Sequence, residues 1–471
     1  MSGHIIIATT IVIYIIIMTG VSLYARSRIK NNDDYHLAGR RLGTIMLAGT
    51  LAATEIGGGS TIGVTAKAYG AWGLSAAWYV IATGIGIFLV AFIAPYMRRA
   101  MATTVPEIIG RRYGKSSYLI TSILSVISLI SLAAAQITAC ATVVSVMLNM
   151  PFTMALLIAG CLLVFYTWVG GMWSLSLTDF IQFFIIVFGF SFAIIYILLR
   201  DPQGWNTVFA TLPPEKLSTT HLGWGAIIGL IVMYFMTFCT GQEAVQRFYS
   251  ARNEKVAIHG ALLCGIVITL YAFVPALFGL IAFSSYPDIA ANDALATVAV
   301  GKLPPLFAGI VLSAVLFATM SSGSGDLLGA SSIMVKDIYY GFIYRGASPL
   351  PGEELKNSKR VVIAVGIIGI IIAFFSRQII ELLVFAFTIR ATGPFAAYLF
   401  GLLADYVTPH AGLVSIIAGT LAGLAWQIAG QPFGVYAVII GSLVSLFSFL
   451  LVVKYDRLRG VPGAPFTEKK P

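Results

Sequence analysis

Residues 48–63 read AGTLAATEIGGGSTIG, an apolar stretch that carries an acid, Glu55, and three consecutive glycines, Gly57 to Gly59. It lies inside a segment long enough to cross a bilayer. Each glycine costs a helix interior roughly 1 kcal/mol, so the run marks a break in the helix. A break at membrane depth frees backbone carbonyls and amides that lipid cannot satisfy, and it is tolerated only against protein or a wet cavity. A carboxylate there carries the same implication, because its charge is costly in hydrocarbon. Freed carbonyls beside polar groups are what a bare cation requires, and broken spanning helices form such sites in secondary transporters. The alternative is close packing of two helices at the glycines, with Glu55 in a structural polar contact.

The rest of the chain supplies the membrane. Of 471 residues 58% are hydrophobic and 10% charged, and the mean hydropathy is +0.92. Soluble domains carry about 25% charged residues, so the composition is that of an all-α polytopic membrane protein. Cys140, Cys161, Cys239 and Cys264 all fall in apolar segments without metal-like spacing and read as small core residues. No charged n-region or small-residue cleavage site precedes Tyr24-Ala25-Arg26, so residues 4–24 read as a retained span.

Apolar runs of spanning length lie near 4–24, 44–66, 72–97, 117–147, 152–170, 174–199, 223–241, 258–284, 303–335, 360–376, 379–403, 410–430 and 433–453. The expectation is thirteen spans, those at 117–147 and 303–335 being tilted. Basic residues test the count. Loops on one side hold 23 of the 29, among them Arg40, Arg41, Arg98, Arg99, Arg111, Arg112, Arg247, Lys336 and Arg457. The other side has Lys67, Arg200, Lys216, Lys302 and Arg377, and Arg390 falls within a span. The expected topology therefore has the N-terminus outside and the C-terminus cytoplasmic, in a plasma (inner) membrane. The excess of positive charge needs no nucleic-acid partner.

If the first span and the last two are peripheral, ten remain. The chain then divides into an N-terminal peripheral helix and loop (1–43), one half of a core (44–199), an extracellular loop (200–222), the second half (223–403), and two peripheral helices with a tail (404–471). Five spans per half give the halves opposite topology, the inverted repeat of many secondary transporters. In the second half the counterpart of the glycine break is Tyr234-Phe235-Met236-Thr237-Phe238, closed by Thr240-Gly241-Gln242.

Four further stretches resemble the sodium/solute symporter family, which includes proline, pantothenate, sialic acid and sugar symporters. They are Thr104-Val105-Pro106-Glu107 with Arg111-Arg112-Tyr113-Gly114; Gly170-Gly171 followed by Leu177-Thr178-Asp179-Phe180-Ile181-Gln182, with Leu177 where tryptophan is usual; Gly241-Gln242 with Gln246-Arg247 and Ser250-Ala251-Arg252-Asn253; and Ala318-Thr319-Met320-Ser321-Ser322 with Lys336-Asp337-Ile338-Tyr339. Each alone is weak, but they occur in the family's order on the matching spans. The resemblance implies a LeuT-like fold and a coupling sodium ion, Na+, held by the carbonyls of Ala53, Ile56 and Ala318 and the hydroxyls of Ser321 and Ser322. Sodium is a hard cation that prefers oxygen ligands, which suits five neutral oxygens at an open helical turn. Ordinary helix packing is the alternative for the two serines. Relatives with a second sodium use the aspartate and further serines; here Asp179 and Ser324 are present but Gly325 replaces a serine, so these residues mark a second ion or an exit path.

Candidates for contact with a small organic solute are Thr54, Glu55, the amides of Gly57 to Gly59 with Gly58 at their centre, Gln136, Tyr234, Thr237, Phe238 and Arg390. Gln136 equally suits an interhelical hydrogen bond. An arginine halfway along a span is a functional candidate by default. Arg390 would hold an anionic solute group bidentately or pair with Glu55 or Asp326. Asp326 lies four residues after Ser322, on nearly the same helix face, and is a partner or proton carrier. No HExxH or GxSxG motif is present, and the five histidines lie at span ends or loops, which argues against an enzyme. The function that follows is sodium-coupled import of an amino acid, carboxylate or similar solute by alternating access. Proton coupling through Glu55 or Asp326 is the alternative, and a channel a more distant one. Oligomeric state leaves no trace in the sequence.

Overall fold

The computed structural model describes residues 3–27, 29, 32–200, 204–344, 350, 352–376 and 378–464. Among these, nine helices are long and apolar enough to cross a membrane. Two more spans are bent pairs, Trp224–Thr240 with Gln242–Ser250 (57°) and Ile379–Thr392 with Pro394–Leu403 (51°). The thirteen expected spans divide two of these elements further, each where the backbone leaves helical geometry. Phe152–Arg200 would run about 74 Å as one helix, over twice the hydrocarbon thickness, but it breaks at Gly171 (φ 56°, ψ −167°). Only glycine fits there, since a Cβ would stand 2.4 Å from the Tyr35 ring. The other break separates 44–66 from 72–97, at Gly70 (ψ −136°) and Gly73 (φ 54°).

The helix Pro305–Ser332 is the axis of the packing. It continues as a π-helix through Ile333–Ile343, and about 83% of its apolar window is buried. It packs against Gly3–Arg26, Lys115–Leu148 and Phe152–Arg200. Its middle is built from Ala, Ser and Gly, the small residues that let membrane helices approach closely. The peripheral pair Pro409–Ile428 and Ala437–Leu458 seats Thr392 between Gly419, Gly423 and Gly441; a Cβ on Gly419 would meet the Thr392 carbonyl oxygen at 2.2 Å.

One expectation is corrected here. Arg247 is not a loop residue: after Thr240 the chain bends by 57° and continues as the helix Gln242–Ser250, all of whose residues are buried, Arg247 completely. Of the other basic residues, Arg28, Lys30, Arg345, Arg377, Lys469 and Lys470 lie outside the described residues.

The first and last resembling motifs meet on the basic face. Thr104 caps the helix Val105–Tyr113 by accepting from the Glu107 amide at 3.2 Å, while Glu107 Oε2 accepts from the Thr103 amide at 2.9 Å. This is a variant of the capping box, the Glu107 carboxylate taking the amide one residue before the N-cap. The same carboxylate pairs with Lys336 at 2.9 Å and with Arg111. Burial alone would raise its pKa, but the two cations and the Thr103 amide outweigh it and hold Glu107 at about 2.

Two outcomes are expected. Gly419→Ala lowers the thermal unfolding midpoint in detergent by overpacking worth about 1–3 kcal/mol. Gly189→Ala, with nothing within 4 Å of the added methyl, leaves the midpoint unchanged or slightly raised. For Glu107 the folded pKa lies below the ordinary 4.5, so its contribution is complete above pH 4.5 and is lost as pH falls towards 2. Glu107→Gln should lower stability at neutral pH and flatten the acid limb of a midpoint-against-pH curve.

Candidate functional site

The helix Thr44–Glu55 ends at the glycines. Its last backbone bond runs from the Ile56 amide to the Ala52 carbonyl at 2.8 Å; the next amides turn elsewhere, Thr61 to Gly57 and Gly63 to Gly58. Four carbonyls, 53 to 56, are thereby freed. Ser322 Oγ donates to that of Thr54 at 2.6 Å, and Ser60 Oγ donates to that of Glu55. Among the described residues, the carbonyls of Ala53 and Ile56 accept no hydrogen bond. The Gly58 amide, freed on the other side of the break, donates to Gln136 Oε1 at 2.9 Å. Of the two roles open to Gln136, the structure shows this interhelical bond.

Ser322 Oγ also lies 3.0 Å from the Ala318 carbonyl, its one proton shared between the two carbonyls, so the buried helix and the broken one meet at its hydroxyl. A Cβ on Gly57 would lie 2.4 Å from Ser322 Oγ, which is why this approach needs glycine. Ser321 instead donates to Asp179 Oδ1. Asp179 Oδ2 accepts from Thr50 at 2.6 Å and pairs with Arg247 at 3.4 Å, both side chains fully buried. Arg247 further donates to Thr50 Oγ1 at 3.1 Å and the Glu243 carbonyl at 2.6 Å. Ser324 is turned away from this group and accepts from Thr167 Oγ1 at 2.8 Å.

Beside the break is a cavity of about 40 Å³, lined by Thr54, Glu55, Gln136, Tyr234 and Ser322 among the expected residues, and by Asp326. Gly58, Thr237 and Phe238 do not line it, although Gly57 and Gly59 do; Phe238 stacks behind Tyr234 at 5.5 Å between ring centroids. The sequence missed Tyr79, edge-on to Tyr234 at 5.3 Å, and Phe387, Leu383 and Glu243. Leu383 presses on Gly59 and Ile380 on Gly63, and beyond Ile380 opens a hollow of about 330 Å³ on the face carrying Lys67 and Glu381, which pair at 3.2 Å.

Arg390 is 2% exposed, and its partner is neither Glu55 nor Asp326 but Glu243, on the helix Gln242–Ser250. Its guanidinium also lies 4.9 Å from the Phe387 ring centroid. Glu243 read as a loop residue; the signal that could have found it is its spacing to Arg247, four positions on in a stretch without turn residues.

Residues 35–419 match the profile of the sodium:solute symporter family. The chain is 26% identical to a sodium/proline symporter of Haemophilus influenzae, over 93% of this chain and 94% of that protein. It is 25% identical to the sodium/proline symporter of Escherichia coli, over 98% and 94%. Its fold is that of a Na+-coupled sialic acid symporter solved in a substrate-bound outward-open state, with a TM-score of 0.82, 21% identity, and coverage of 96% of this chain and 98% of that one. Nearly all-helical, with its spans broken in this way, the molecule has a LeuT-like fold.

The buried Arg390–Glu243 pair sets a test. Arg390→Leu strands a carboxylate and should cost about 3–5 kcal/mol, read as a lower unfolding midpoint. Arg390→Leu with Glu243→Leu should recover more than half of that loss. Additive losses would show that the two side chains act independently.

Proposed function

The chain belongs to the sodium:solute symporter family, and on that premise we propose how it couples sodium to a small solute. Sodium sits between the broken helix and the helix Pro305–Ser332, held by the carbonyls of Ala53, Ile56 and Ala318 and the hydroxyls of Ser321 and Ser322. The observation that carries this assignment is the pair of carbonyls, Ala53 and Ile56, left without hydrogen bonds beside Ser322. Both serines keep oxygen lone pairs for a cation while donating their protons. Asp179 orients Ser321 in this way, and Arg247 and Thr50 absorb the carboxylate's charge. With Ser324 committed to Thr167, Asp179 serves this one ion and not a second.

The adjoining cavity is the solute site. Sodium draws the broken helix onto Ser322, whose neighbours line the cavity, so ion and solute share one wall. Leu383 and Ile380 form the thin closure towards the hollow at Lys67, which faces outside in the orientation with the C-terminus cytoplasmic and the protein in the plasma membrane. Residues 44–199 and 223–403 are the two inverted halves that rock about the site. One charge moving down 100 mV is worth about 2.3 kcal/mol, and a tenfold concentration ratio costs about 1.4 kcal/mol; the voltage alone thus supports accumulation beyond tenfold. No covalent bond changes, and the activity is transport, not catalysis.

Uptake into proteoliposomes tests this. With labelled proline, the solute named for its relatives, and a panel of amines, carboxylates and sugars, an inward sodium gradient should drive accumulation of whichever member of the panel the protein accepts. Ser321→Ala/Ser322→Ala should reduce it at least tenfold. Accumulation driven by a pH gradient alone and unchanged in the double variant would overturn the sodium assignment in favour of proton coupling through Glu55 or Asp326.

A further inference from the structure

The carboxylates around the cavity outnumber their partners. Arg247 pairs with Asp179 and Arg390 with Glu243, one to one. Glu55 and Asp326 remain, both lining the cavity, with no ion pair to any described residue. Asp326 is 3% exposed and makes no hydrogen bond among the described residues. Glu55 Oε1 and Glu243 Oε2 are likewise buried without partners. Three acids thus line the cavity, and no basic side chain does. An uncompensated charge at this depth is costly, so in the ionised form these acids favour an occupant that brings positive charge; with the cavity empty a proton can do the same. Among the described residues, no three of these acids converge closely enough to chelate a metal ion. The remaining wall is aromatic, formed by Tyr79, Tyr234 and Phe387, and aromatic faces attract organic cations.

We propose that the solute is an organic ammonium compound without a compensating anionic group, its cationic nitrogen held between Asp326, Glu55 and the aromatic wall. This rests on the cavity being the solute site. One sodium and one ammonium would together balance the two unpaired carboxylates. Arg390 pairs with Glu243 through Nη1, its Nε and Nη2 being buried without partners among the described residues, and it does not line the cavity; in this reading it serves the protein and not a solute carboxylate.

The test uses methylammonium and tetramethylammonium as probes on the detergent-purified protein at pH 7 and fixed sodium chloride, read by thermal unfolding. The parent should gain several degrees at high millimolar probe, whereas sodium acetate and free proline give less than one degree. Asp326→Asn, which keeps the side-chain shape, should abolish the gain, and Glu55→Gln should weaken it. No gain in the parent, or the same gain in Asp326→Asn, would overturn the proposal. So would a gain with proline or acetate that exceeds the ammonium response. A separate arm adds sodium without any probe. Sodium stabilisation lost in Ser321→Ala/Ser322→Ala upholds the ion site whatever the amine result, and its absence would overturn that reading independently.

Discussion

The constraint on which this molecule depends is the hydrogen-bonding capacity of a peptide backbone broken inside a membrane. When the helix Thr44–Glu55 stops at three glycines, the four carbonyls of 53 to 56 and the four amides of 57 to 60 lose their helical partners in a place where water is scarce. Leaving a buried polar group unpaired costs about 1–3 kcal/mol, so the surroundings must answer each one. Ser322 and Ser60 meet two carbonyls, and Gln136 meets the Gly58 amide. The two carbonyls that remain, on Ala53 and Ile56, are oxygens we propose as sodium ligands. A neutral site of this kind stabilises sodium without presenting a permanent charge to the membrane when the ion leaves, which suits a cycle of binding and release.

The second half of the core uses a different solution for a similar break. At Thr240-Gly241-Gln242 the span bends and continues as a short helix whose polar residues are all buried. Gln242 bonds the Thr103 carbonyl and the Val105 amide, and Gln246 bonds the His36 carbonyl. Arg247 reaches Asp179, beside the proposed sodium site, while Glu243 reaches Arg390, beside the cavity. One helix of nine residues therefore ties the charges of both sites together. Movement of this helix would disturb an ion pair at each, which gives the two halves of the cycle a physical connection.

Much of this was legible in the sequence, for identifiable reasons. Apolar runs and the sidedness of basic residues depend on lipid, a uniform solvent, so they locate spans without tertiary detail. The glycine triplet with Glu55 announces a break because no ordinary spanning helix tolerates both. Ser321, Ser322 and Asp179 came from ordered motifs. The charged pairs did not. Glu243 and Arg247 stand one turn beyond an apolar run, where charged residues usually face water, and only the 57° bend carries them back inside. Arg390 was recognised as anomalous, but its partner depends on that bend, which hydropathy does not encode. Tyr79 and Phe387 were hidden for the opposite reason: an aromatic residue in a span looks the same whether it meets lipid, protein or a cavity.

The balance of charge separates what the fold provides from what this chain adds. Neutral oxygens at the break suffice for sodium, and they would do so without Glu55 or Asp326. Arg247 and Arg390 are each matched by one carboxylate, so Glu55 and Asp326 form no ion pair with a described residue, and their side chains accept no hydrogen bond from one. Replacing either with its amide would relieve repulsion, so neither is explained by stability of the empty protein. In the proposed reading their cost is recovered when something positive, a proton or the solute, enters the cavity. The proposed sodium site is thus the part this molecule would share with its family, and the unpaired acids that line the cavity with Tyr79, Tyr234 and Phe387 are where we propose its choice of solute resides.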